Sequence, residues 1–102
     1  MLDDILIEKI IEERKNMHPE DPRIMDKWDE LTAVFVESKE DTIAYLNHCN
    51  KENLYWIAEI FDDISAQLQS TEFIECIEQL GEKYPDLDLE TDISFAKQMM
   101  AD

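Results

Sequence analysis

The chain predicts an all-α fold of about six helices, set as three antiparallel hairpins in a short HEAT- or TPR-like α-solenoid or an irregular bundle. Three observations carry that expectation. Only one of the 102 residues is Gly and three are Pro, too few for the turns that an all-β domain of this length requires. Residues that favour helices (Glu, Leu, Ile, Met, Ala, Gln, Lys) dominate. Apolar residues recur at spacings of three and four along nearly the whole chain. The length suits one domain, residues 1–102, and 44% apolar content supports a packed core despite the charge.

Each helix has its own signal. Leu6, Ile7, Ile10 and Ile11 give the first, over residues 3–16, one apolar face. His18-Pro19-Glu20-Asp21-Pro22 ends it, because two prolines three apart cannot lie inside a helix. Asp21 then caps the second helix with Pro22 in its first position, and Ile24, Trp28, Leu31 and Phe35 follow at helical spacing. Ser38 with Asp41 resembles a capping box opening the third, which carries Ile43 and Leu46. Asn50 caps the fourth, where Leu54, Ile57, Phe61, Ile64 and Leu68 form the strongest stripe, widened by Ile60. Ser70 or Thr71 starts the fifth, with Phe73, Ile77, Leu80 and Tyr84, and Pro85 ends it. The sixth opens near Asp88 and carries Leu89, Ile93, Ala96 and Met100.

A weak internal repeat supports the pairing. Residues 41–49 align with residues 72–80 at an offset of 31, and Ile57, Phe61, Ile64 and Leu68 align with Leu89, Ile93, Ala96 and Met100 at an offset of 32. That period is the size of one helix–turn–helix unit.

Charge narrows the choice of partners. Nine basic residues against 26 acidic ones give −17, a field that repels phosphate and so disfavours nucleic acid and anionic membrane surfaces. The acids are spread, with net −6 over residues 1–37, −4 over 38–69 and −7 over 70–102. The N-terminal segment is acidic and amphipathic, unlike a secretory signal, and no apolar run reaches the length of a membrane span. Cys49 and Cys76 are too few for a disulfide framework. A cytoplasmic protein with two reduced, core-like cysteines is the expectation, as monomer or homodimer.

Chemistry finds little to work with. Asp86, Asp88, Glu90 and Asp92 alternate like a calcium loop, but Thr91 stands where that loop needs Gly and Lys97 where it needs Glu. His18 and His48 belong to no metal-ligand pattern, and Cys49 with Cys76 and His48 lacks a fourth ligand. Gly81, the single glycine, cannot build a phosphate loop. No catalytic residue, metal or cofactor is expected.

The surface remains. On the fourth helix Tyr55, Glu59, Asp62 and Ala66 face away from the apolar stripe, with Asp63 beside them, and the second helix adds a strip of Asp26, Asp29, Glu30 and Glu37. An aromatic ringed by charge is the usual makeup of an interface anchor. Tyr55, Glu59, Asp62, Asp63, Asp26, Asp29 and Glu30 are therefore the expected partner-binding residues. In stacked hairpins the second, fourth and sixth helices line one face. Trp28 and Trp56 are expected at the core or its edge.

The last third carries Ser70-x-Glu72-Phe73-Ile74, Leu80-x-x-Lys83-Tyr84-Pro85 and Leu89-x-x-Asp92-Ile93-x-x-Ala96-Lys97. These resemble small all-helical immunity proteins found beside bacterial polymorphic toxins. The resemblance implies a cytoplasmic inhibitor that binds a cognate toxin domain and has no catalysis of its own, and the charge of −17 makes the expected partner a basic protein. The acidic immunity proteins of nuclease bacteriocins are similar in size and charge. Their adjacent interface tyrosines have no counterpart here, where Tyr55-Trp56 lies in a long helix. A helical-repeat adaptor that binds a peptide or a host protein keeps the same fold with a different partner.

Overall fold

The computed structural model describes residues 2–101, which form α1 (Asp4–Lys15), α2 (Ile24–Phe35), α3 (Lys39–His48), α4 (Lys51–Ile57), α5 (Phe61–Leu68), α6 (Thr71–Lys83) and α7 (Glu90–Gln98). Short 3-10 turns lie at Ala58–Ile60 and Pro85–Leu87, and no strand occurs among the described residues. Because α4 and α5 are two halves of one interrupted rod, the described residues form the six helices that the periodicity predicts.

Caps decide where these helices begin. Asp3, Ser38, Asn50 and Ser70 each sit in extended backbone and accept the N–H of the residue three positions on. Each satisfies an otherwise orphaned donor, an effect worth about 1 kcal/mol. The second helix departs from expectation. Asp21 accepts the Arg23 N–H at 2.9 Å and grips its guanidinium, so Pro22 and Arg23 form a separate turn and Arg23 takes the cap position of α2. At the other end Asp88 adopts a left-handed conformation (φ 57°) after the Pro85 turn. That shifts the start of α7 two residues past the predicted opening.

The long fourth helix is interrupted inside the core. Ile57, Ala58, Ile60 and Phe61 are all at most 3% exposed. Phe73, Ile74, Cys76 and Ile77 are buried in the same pattern on the unbroken α6, so burial alone does not require the interruption. At the tighter 3-10 turn the helix changes phase, and both halves of the rod bury residues in the core. That core centres on Phe35, Phe61 and Phe73 with Ile7, Leu46, Leu54, Ile64 and Ile77. Phe61 meets Phe73 edge to face at 6.1 Å, and Phe35 meets Tyr45 at 5.5 Å.

α1 packs on α2 and α4, α3 chiefly on α6, α6 on α7, and α5 most extensively on α7. The stacking of α3 on α6 and of α5 on α7 is the neighbour packing that the internal offset predicts. Its aligned positions share burial: Thr42 with Phe73, Leu46 with Ile77, Ile57 with Leu89 and Ile64 with Ala96. Ser38 and Ser70, the caps of α3 and α6, are also 32 positions apart. The first hairpin packs on the rest through α1 on α4 and through α2 on α3 and α5, and the described residues measure 34 × 29 × 26 Å.

Polar groups lock the α5–α7 contact. The Ser65 hydroxyl donates to the Ala96 carbonyl at 2.6 Å. Gln69, left-handed at φ 47°, donates from its amide to the Met99 carbonyl (2.8 Å) and accepts the Ala101 N–H (2.7 Å).

Candidate functional site

Around α5, which packs on α7 and touches α2, carboxylates gather. Asp62 and Asp63 occupy the first turn of α5 and Asp92 that of α7, positions where negative charge complements the helix dipole. Asp29 projects from α2. Burial is the main cause that pushes the Asp63 carboxyl above its ordinary range, followed by the charges of Asp62 and Asp29. Burial, then Asp62 and Glu59, raise Asp92. These mutual effects place acids from three helices within one electrostatic neighbourhood.

No cation neutralises this row. Among the described residues Asp29, Asp62, Asp63 and Asp92 make no ion pair. The two lysines on the adjoining helices turn away. Lys27 of α2 reaches Glu13 of α1 (3.2 Å) and Glu30 (3.0 Å), and Lys97 of α7 reaches Glu78 of α6 (3.0 Å).

The remaining expected contact residues are paired within the molecule or stand apart from the row. Glu59, whose charge reaches Asp92, is engaged within the molecule: Arg14 forms a two-pronged pair with it (2.9 and 2.7 Å), and the Trp28 indole N–H donates to the same carboxylate at 3.1 Å. The Arg14 guanidinium also lies 5.0 Å from the Trp56 ring centroid. This half-buried knot ties α1, α2, α4 and the 3-10 turn together and places both tryptophans at the core edge, as predicted. Tyr55 is half exposed and edge-on to Trp56, one helical turn before Glu59 and outside the acid row. Glu30 is paired with Lys27, and Asp26 is exposed beside Lys27 and Arg23 on the α1 side of α2.

Two apolar side chains that the periodicity left unassigned border the row. Phe95 and Met99 are 49% and 45% exposed, and their spacing of three and seven from Asp92 sets them on the same side of α7. Phe95 falls off the Leu89–Ile93–Ala96–Met100 stripe, the signal that marks it as outward-facing in the sequence. Asp92 itself reads in the sequence as a helix-capping acid and nothing more.

Other concavities offer less chemistry. A pocket of about 320 Å³ holds Asp4, Glu8, Tyr45, His48 and Cys49. Burial pushes the Cys49 thiol up to about 11 and raises that of Cys76, so neither supplies a thiolate at neutral pH. A groove of about 710 Å³ runs between α6 and α7, with Gly81, Glu82, Pro85, Glu90 and Ile93 among its lining. Among the described residues no group of His, Cys, Asp and Glu is arranged to hold a metal ion, and no helix is long and apolar enough to cross a membrane.

Fold and site together define a small all-helical protein with a row of uncompensated carboxylates across three helices. No family model, curated protein or solved structure matches the chain.

Proposed function

We propose that this chain is a non-catalytic binding protein, cytoplasmic, that captures a basic protein partner on the α2–α5–α7 face, and that the partner is a bacterial toxin domain which it neutralises. The observation that carries this reading is the unpaired row Asp29–Asp62–Asp63–Asp92, from which neighbouring lysines turn away. Leaving like charges together costs stability, and a basic partner would return that cost on binding. Steered association of this kind is fast and falls steeply with salt.

The test is growth rescue. The chain is co-expressed with each secreted protein encoded beside it that carries a variable C-terminal domain. Rescue by one pair is expected, with an association rate that drops at least about tenfold from low to physiological ionic strength. Rescue with none of them defeats the toxin assignment.

A second reading, an adaptor for a peptide, is favoured by the α6–α7 groove and its partly apolar lining. It predicts binding that varies little with salt and is lost when Ser94→Arg fills the groove.

A further inference from the structure

We infer that Phe95 and Met99 form the apolar anchor of the acidic face, and that the face recognises a partner segment in which an aliphatic side chain stands between lysines or arginines. The inference rests on the proposed binding role and specifies what the bound surface must look like.

Two independent observations meet on one side of α7. The first is apolar: Phe95 and Met99 leave about half their surface in water, although Ala96 between them is fully buried. Neither belongs to the core cluster. The second is electrostatic: Asp92, three residues before Phe95, shares its field with Asp62 of α5 and has no cationic partner among the described residues. Hydrophobic burial at the centre with charge at the rim is the usual division of labour in a binding surface.

Charge selects the occupant. A second copy would bring its own −17 and its own carboxylate row against this face, and an anionic membrane would be repelled in the same way. A segment carrying cations on both sides of an aliphatic residue satisfies both observations at once. The aliphatic group would cover Phe95 and Met99, and the cations would neutralise Asp92, Asp62 and Asp63. The backbone beneath is held in place, because Gln69 fixes the Met99 carbonyl and the Ala101 N–H to the end of α5.

The experiment uses the full chain and two synthetic peptides of equal positive charge, one an amphipathic leucine–lysine helix and the other a lysine–serine–glycine coil. Binding is followed by amide and methionine-methyl NMR shifts. The amphipathic peptide should bind at least about tenfold more tightly, with the largest shifts at Phe95, Met99 and the first turn of α5. Phe95→Ala with Met99→Ala should remove that advantage and leave the salt dependence intact. Asp62→Asn with Asp92→Asn should weaken binding and lessen the salt dependence for both peptides. Equal affinity for the two peptides, an unaltered preference in the Phe95/Met99 variant, or shifts centred on Gly81 and Ser94 would overturn the anchor and leave the acidic-face reading standing. If neither peptide binds, both fall. Phe95 and Met99 lie outside the core, so their variants should keep the wild-type amide spectrum elsewhere, and Phe95→Leu should retain most of the preference.

Discussion

Single side chains show where the packing is complete and where it is not. Thr42 is fully buried and its hydroxyl donates to the Phe35 carbonyl, tying the start of α3 to the end of α2. Thr32, 3% exposed, has a hydroxyl with no hydrogen-bond partner among the described residues. A buried, unsatisfied polar group costs on the order of 1–3 kcal/mol. Thr32→Val keeps the shape and removes the oxygen, so it should raise unfolding stability by about 1 kcal/mol in urea titrations. Thr42→Val, by contrast, should lower it by about as much. This difference is invisible in the sequence, where both threonines lie on helices with nothing to separate them. Glu59 teaches the same lesson. Its spacing from Tyr55 and Asp62 marks it as a surface acid, but Arg14 lies 45 positions away in sequence. No local pattern announces that pairing.

Elements were far more legible, since helix period and caps are local properties. Four side-chain caps and the apolar stripes place most boundaries, and the repeat offset anticipates which helices stack. The misjudged boundaries have turn-level causes: Arg23 engages Asp21, Asp88 goes left-handed, and a 3-10 turn at Ala58–Ile60 divides the fourth helix. Gly81 tests how tightly two elements are matched. A Cβ there would sit 2.8 Å from Ile93 Cδ1, the tip of a flexible side chain. Replacing a helical Gly by Ala is otherwise worth about 1 kcal/mol. Gly81→Ala should therefore be nearly neutral alone and clearly stabilising in the background of Ile93→Val. The coupling should be measurable by a double-mutant cycle in chemical denaturation. Strict additivity would mean that α6 and α7 already have room to spare.

At the scale of the whole molecule, charge sets the response to solution conditions. Asp63 and Asp92 have carboxyls raised above the ordinary 3.8. In the window above that value the folded chain holds more protons than the unfolded one, so stability falls as pH rises through it. Asp21, held at about 2 mainly by its Arg23 hydrogen bonds, and Asp86, lowered mainly by Lys51, have the opposite sign. Their contribution is present above 3.8 and is lost as pH falls below it. Tm should therefore peak in mildly acidic solution, at roughly pH 4–5. Asp63→Asn with Asp92→Asn should lift Tm at neutral pH and shrink the gain on acidification. Moderate salt should also raise Tm at pH 7 by screening the self-repulsion. A Tm indifferent to both pH and salt would mean that the acids are compensated as they stand. The sequence announces the total of −17 and its even spread along the chain, but not the sorting of cations in space, which only the fold reveals.

That sorting leaves the molecule unevenly neutralised. Lys15, Lys39, Lys51 and Lys97 are spent on Glu52, Glu72, Asp86 and Glu78, bridges that run over the flanks of α1, α3, α4 and α6. Lys27 is drawn toward α1 in the same way. The carboxylate row on α2, α5 and α7 has no such bridge among the described residues, so an uneven field is superimposed on the net charge. Net charge draws a cationic body inward from every side; the unevenness also exerts a torque. Such a body would tend to turn the protein before touching it. Exchanging Lys97 with Glu78 would keep both the composition and the net charge, yet it would redistribute that field and change how the two bodies first meet.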